Sequence, residues 1–290
     1  MAEVTIELIK TLRDRTGAGL MDCKNALIAS DGDLDKATDW LREKGLAKAA
    51  KKADRIAAEG LALAVTCPKC GKTVVLEVNC ETDFVAKGDA FRKLVEDVAQ
   101  LILKNEPKSV EEAKELSVAL FTDATVKMGE KFDLRRFEIF QKEDHTIGSY
   151  IHMGGKIAVA VLLDGADDDF AKKIAMHIAA NNPQYVTMAD VPADIREHEL
   201  AVQKEAAKND EKLAGKPEPV LEKILEGKIN KYFAELTLEA QPFLMDDSKT
   251  VGQVLKEANV KVLRFVRYQV GEGIEKRKDD FASEVMSQAK

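Results

Sequence analysis

Twice in this sequence the spacing of apolar residues switches from a strand period to a helix period across a short acidic junction. That switch limits the possible folds more than any other feature. Thr73-Val74-Val75-Leu76-Glu77-Val78 is a β-branched run of strand length. After Asn79-Cys80-Glu81-Thr82-Asp83-Phe84-Val85-Ala86, apolar residues recur three or four apart at Phe91, Leu94, Val95, Val98, Leu101 and Ile102, as on one face of a helix. Thr82 and Asp83 at the junction carry the short oxygen-bearing side chains that cap helix N-termini. Residues 146–152 and 156–163 then read as a second strand pair around a Gly154-Gly155 turn. Asp167-Asp168-Asp169-Phe170 starts a second helix, with Phe170, Ile174 and Ile178 on its apolar side. Strand pair, acidic cap, phenylalanine and helix thus occur twice, which predicts a weak internal duplication of an α+β half-domain.

The remaining segments fit around this pair. Residues 1 to about 45 read as three short helices. The first carries Val4, Leu8, Ile9 and Leu12, the second runs from Met21 to Ile28, and Asp33 caps the third, with Gly45 at its C-terminal stop. Lys48-Ala49-Ala50-Lys51-Lys52-Ala53 is a basic helical link. Residues 61–66 and 73–78 form a hairpin with 67–72 as its loop. A helix with an internal kink or break is expected over 110–128, and a strand over 134–140. Beyond Pro183 and Pro192, about forty residues of charged helix, split at Gly215-Lys216-Pro217-Glu218-Pro219, read as an antiparallel helical hairpin, whose second arm shows Leu221, Ile224, Leu225, Ile229 and Phe233. The partner of that stripe is its twin arm, the body or a second copy of the chain. A short helix over 251–258, a strand over 262–270 and a terminal helix over 279–288 complete the reading.

Charge and motifs exclude several function classes. A net charge of -7 over 290 residues argues against a nucleic-acid binder, whose affinity rests largely on phosphate contacts. The N-terminal helices show no basic stripe to support a DNA-reading helix-turn-helix. Glu3, Glu7, Lys10 and Arg13 interrupt any signal-peptide core. The longest apolar run, 157–163, is far short of the ~20 residues that span a bilayer. A soluble, cytoplasmic protein without a membrane partner is expected. Gly71-Lys72-Thr73 imitates the end of a phosphate-binding loop, but Thr66 stands where glycine is required and a strand follows instead of a helix. Cys67-Pro68-Lys69-Cys70 is half of a zinc knuckle, and a structural zinc usually takes four ligands. Metal, a redox pair and a plain hairpin tip stay open there, and a zinc-dependent enzyme built on it is the third-ranked reading. His145, His152, His177 and His198 show no metal spacing, and no nucleophile is paired with a base. A binding protein, without cofactor, is favoured over an enzyme.

Two readings of the central junction stand. Phe84 either tucks into the core behind a capped helix, or the corner presents Asp83 and Phe84 at the surface. The N-terminal module is likewise either a structural cap or a docking unit with Leu20 and Met21 exposed at a glycine-flanked turn. A generic interaction scaffold built on that module is the runner-up function.

Thr82-Asp83-Phe84-Val85-Ala86 and Thr16-Gly17-Ala18-Gly19-Leu20-Met21-Asp22-Cys23-Lys24 closely resemble the two signature stretches of the bacterial elongation factor Ts family. Gln241-Pro242-Phe243-Leu244-Met245, Ser248-Lys249-Thr250-Val251-Gly252-Gln253 and Val270-Gly271-Glu272-Gly273-Ile274 extend the likeness over nearly the whole chain. The resemblance implies a guanine-nucleotide exchange factor of elongation factor Tu that promotes GDP release by disturbing the Mg²⁺ and phosphate site. It assigns Thr82, Asp83, Phe84 and Val85 to Mg²⁺ displacement and GTPase contact. Arg13, Leu20, Met21 and Lys24 would dock on the GTPase domain, and His152, Leu244 and Met245 would make further contacts. Leu20 stands where the family carries Met, a nearly volume-conserving exchange, and Leu244 where it carries Val. The Cys67 loop departs from the family pattern. The implied layout is a three-helix UBA-like module and link at 1–55 and a first core subdomain at 56–144. A second core subdomain takes 145–187 with 236–270, the inserted hairpin 188–235 and a C-terminal helical module 271–290. Only some family members pair two copies through the hairpin, so a homodimer stays open.

Overall fold

A computed structural model describes residues 4–208 and 217–275. The fold is α+β. Three helices open the chain: α1 (Ile6–Thr16), α2 (Leu20–Ala29) and α3 (Leu34–Lys51). They enclose a small core of Ile9, Leu12, Ala18, Cys23, Ala26, Leu27, Ala37 and Leu41. A core of that size is marginal alone, and the module leans on more than itself. The third helix does not stop at Gly45 as expected but runs two turns further. Gly45 is buried there because a Cβ would lie 2.6 Å from Val126 Cγ2 and 3.0 Å from Thr122 Cγ2. The glycine is kept for close helix packing, and tertiary contact overrides its tendency to end a helix. The basic link is simply the last turns of α3.

β1 (Glu59–Cys67) and β2 (Lys72–Cys80) pair antiparallel from Glu59↔Cys80 to Cys67↔Lys72, and β3 (Asp133–Gln141) adds to β2. The strand-helix junction contains two helices rather than one. α4 (Asp83–Ala86) is a single turn, and Gly88 then starts α5 (Asp89–Asn105). Val74, Leu76, Val78 and Cys80 on one face of β2 meet Phe91, Leu94, Val95, Val98 and Ile102 of α5, as the period switch predicts. The opposite face holds Glu77, fully buried. Its carboxylate accepts from Arg135 (3.1 Å), Arg136 (2.6 Å), Asn79 (3.1 Å) and the Gly271 N–H (2.8 Å), so a buried charge is fully partnered. α6 (Val110–Met128) is one unbroken helix, so of the expected kink or break the break is absent. Its Ser117, Thr122 and Thr125 hydroxyls donate to the carbonyls four residues back, which satisfies them without leaving the helix.

β4 (Thr146–His152), β5 (Ile157–Asp164), α7 (Asp168–Asn181), α8 (Ala193–Lys208) and α9 (Glu218–Leu236) follow. The described chain closes with β6 (Pro242–Phe243), β7 (Asp246–Thr250), α10 (Val251–Glu257) and β8 (Lys261–Gln269). β5 lies between β4 and β8 in one sheet. Asp167 caps α7, whose Ile174 and Ile178 are buried, and α7 packs on β4 as α5 packs on β1 and β2. The arms α8 and α9 pack on each other, with Arg196 near the start of one over the ring of Phe233 near the end of the other, so they run antiparallel. Part of the hairpin's apolar stripe therefore finds its partner in the twin arm. The 215–216 part of the expected hairpin break and the expected 279–288 helix lie outside the described residues.

The chain forms two compact units. One comprises residues up to Ile139 with Met153–Ile157 and the segment from Tyr268. The other comprises Phe140–His152 and Ala158–Arg267.

Candidate functional site

The site starts from the one-turn helix α4. Val85 and Ala86 point inward, Ala86 buried and half-buried Val85 packed against the first core. At 100° per residue, anchoring those two leaves their neighbour Phe84 outward. Its side chain is 84% exposed. The reading that tucked this ring into the core is therefore overturned. Burying a Phe is worth ~1.5–3 kcal/mol, and that stabilisation is forgone within the subunit.

The groups around the ring hold the turn in place. Thr82 is the N-cap, and its Oγ1 accepts the Val85 N–H at 3.3 Å. Its hydroxyl donates to Glu130 Oε1 at 2.5 Å, while Glu130 Oε2 accepts the N–H groups of Glu81 (2.9 Å) and Thr82 (3.1 Å). Asp83 bonds Lys87 one turn on at 2.6 Å, and that ammonium holds its carboxyl below the usual range. Asp83 is thus an ionised group at the base of an exposed ring.

In the N-terminal module, Leu20 and Met21 are 53% and 61% exposed in the first turn of α2. Lys24 is exposed one turn further, and Arg13 is exposed in the last turn of α1. Gly17 ends α1 in the left-handed region, folding the chain back so that these four share one end of the module. Two exposed apolar side chains thus stand one turn before an exposed lysine, with Cys23 and Ala26 of the same helix directed into the core.

His152, Leu244 and Met245 belong to the second unit. His152 ends β4, exposed, its Nδ1 3.2 Å from the Tyr150 hydroxyl. Leu244 and Met245 are the exposed tip of the β6–β7 hairpin. Sequence reading missed what holds that tip. His177 of α7 is fully buried, its Nδ1 accepts the Leu244 N–H at 3.1 Å, and its Nε2 lies 2.9 Å from Gln241 Oε1. Gln241 donates its own amide to the Glu235 carbonyl at 2.6 Å, so its oxygen faces the imidazole and Nε2 carries the proton. Burial pushes the His177 pKa down, which keeps the ring neutral. No local motif marks His177 or Glu130, since Gln241 and Leu244 stand 64 and 67 residues from the histidine, and Glu81 and Thr82 stand 49 and 48 residues from the glutamate.

Cys67 and Cys70 sit at the β1–β2 turn with the Cys70 N–H 3.3 Å from Cys67 Sγ. Hydrogen bonds from Cys70 lower the Cys67 thiol pKa. Among the described residues no group of three or more His, Cys, Asp or Glu side chains is placed to hold a metal ion. None of the described helices is long and apolar enough to cross a membrane.

Comparison with known proteins matches residues 81–272 to the family described as Elongation factor TS. Over 297 aligned positions the chain is 48% identical to "Elongation factor Ts" of Limosilactobacillus reuteri (strain DSM 20016), covering 99% of each chain. It is 47% identical over 297 positions to the protein of that name from Lactiplantibacillus plantarum, covering 100% of each.

Proposed function

Because the chain belongs to the elongation factor Ts family, whose members serve translation elongation as exchange factors, we propose that it binds elongation factor Tu–GDP and drives GDP release through the α4 corner. A GTPase grips GDP through its phosphate loop and a Mg²⁺ ion. An exchange factor makes and breaks no covalent bond. It needs to bind better to the partner state in which that grip is broken. Turning a 1:99 equilibrium into 99:1 takes ~5.5 kcal/mol of differential binding.

Phe84 is the wedge in this reading, a rigid apolar group whose burial is deferred until the partner supplies a pocket. Asp83 brings a negative charge to the neighbourhood of the metal. Thr82 and Val85 fix the turn on either side. Arg13, Leu20, Met21 and Lys24 provide the docking patch, and His152, Leu244 and Met245 provide contacts from the second unit. The observation that carries the reading is the exposure of Phe84 on a turn otherwise tied down by buried neighbours and hydrogen bonds.

The test is release of fluorescent GDP from elongation factor Tu. The wild-type protein is expected to accelerate it. Phe84→Ala, whose ring makes little contact within its own subunit, is expected to stay folded and lose roughly 10- to 150-fold of the stimulation, at ~1.4 kcal/mol per decade. A folded Phe84→Ala protein with full stimulation removes the ring from the mechanism.

A further inference from the structure

We propose that Glu130 is a positioning residue for exchange: its carboxylate sets the orientation of the turn that presents Phe84. The inference rests on the reading of Phe84 as the wedge.

α4 is four residues long, too short to hold itself, because helix nucleation fixes several dihedrals for one hydrogen bond. Its frame comes from outside. Gly129 ends α6 at φ +75°, and the chain turns so that Glu130 faces the end of β2. One carboxylate then takes three hydrogens: the N–H of Glu81, the N–H of Thr82 and the Thr82 hydroxyl. The last bond fixes a rotor. A threonine hydroxyl has one hydrogen; given to Glu130, it leaves the oxygen lone pairs for the Val85 N–H. The cap that starts α4 is therefore aimed by Glu130, and a carboxylate makes such bonds roughly twice as strong as a neutral acceptor does.

The bonds run both ways. Glu81 accepts the Lys131 N–H at 2.7 Å and pairs with Arg55 at 3.0 Å. Lys131 Nζ donates to the Ala53 and Arg55 carbonyls at 2.5 and 2.9 Å, and Lys52 Nζ bonds the Gly129 carbonyl. Residues 129–131 thus join the chain leaving the docking module to the chain entering the wedge. Asp83 cannot substitute for Glu130, because its carboxylate is taken by Lys87 and lies beyond the cap. Loss of the Glu130 carboxylate leaves buried Ala86 and half-buried Val85 as the anchors of the turn, and Phe84 then samples other directions.

The test is a double-mutant cycle read by fluorescent-GDP release from elongation factor Tu at saturating exchange factor, with thermal unfolding in parallel. Glu130→Ala is expected to slow stimulated release about tenfold, ~1.4 kcal/mol. Glu130→Gln is expected to fall between it and wild type, since the amide oxygen still accepts an N–H without the charge. In a Phe84→Ala background Glu130→Ala is expected to add less than about twofold, within ~0.5 kcal/mol. A merely structural role predicts the full tenfold loss in both backgrounds, and that result overturns the proposal. So does a Glu130→Ala protein that exchanges like wild type while Phe84→Ala is impaired. If Glu130→Ala does not fold, the same cycle with Glu130→Gln and Thr82→Val decides by the same criterion. A wild-type protein that stimulates no release overturns the exchange reading itself, and the positioning role with it.

Discussion

Cys80 and Phe84 stand four residues apart and face opposite environments. The Cys80 thiol is buried, and burial together with the nearby Glu130 and Glu59 carboxylates pushes its pKa up to about 12. Burial also raises that of Cys23, while Cys67 is lowered by its hydrogen bonds to Cys70. Because the thiolate is the nucleophile, alkylation followed by peptide mapping should order the thiols. Cys67 is expected to react first and at a pH below the ordinary thiol range, while Cys23 and Cys80 stay unlabelled until the protein is denatured. Labelling of Cys80 at the rate of Cys67 in the native protein would contradict the burial described. At this scale the sequence was legible where a residue acts through its neighbours: Thr82 was readable as a cap from its position alone. Phe84 was not decidable, because an outward and an inward ring follow the same capping residues, and the inward anchoring of half-buried Val85 and buried Ala86 settles it. Glu130 left no signal, because its meaning comes from a turn 48 residues away.

Among the elements, those with a clear period appear where the pattern placed them: β2, α5, β5, α7 and β8. The misreadings have specific physical origins. Gly45 looks like a helix stop in sequence and proves to be a contact surface for α6. α6 has no break where a kink or break was expected, and its Ser117, Thr122 and Thr125 hydroxyls bond carbonyls of their own helix instead of competing with it. The β6–β7 tip, with Leu244 and Met245, depends on a neutral imidazole. His177 has a pKa below its ordinary 6.5 in the folded protein, caused first by desolvation. Between the folded and ordinary values the unfolded chain binds the extra proton. The stability contribution is therefore present above about 6.5, is lost as pH falls through that range, and levels off below the folded value. Protonation at Nδ1 also sets one N–H against the Leu244 N–H. Amide exchange at Leu244 and the denaturation midpoint are expected to report loosening on acidification, and His177→Gln is expected to flatten the dependence. An unchanged pH slope in that variant would assign it to another group.

For the molecule as a whole, stability and the proposed function fall to different residues. The buried Glu77 network and the α3–α6 contact hold the first unit together. The exposed groups of α4 are tied down by the Thr82 cap and the Glu130 carboxylate, and those of the β6–β7 tip by His177. Sequence motifs marked these exposed residues because they cluster along the chain, whereas Glu130 and His177 beneath them lie far away in sequence and required the fold. An exchange factor that works this way obeys linkage: it must weaken nucleotide by the same factor by which nucleotide weakens it. The most direct measurement is its dissociation constant for elongation factor Tu, free of nucleotide and loaded with Mg²⁺ and GDP. The account predicts much tighter binding to the nucleotide-free form, by the ratio by which this protein weakens GDP, with the ratio reduced in Phe84→Ala. Equal affinities for the two forms would contradict it.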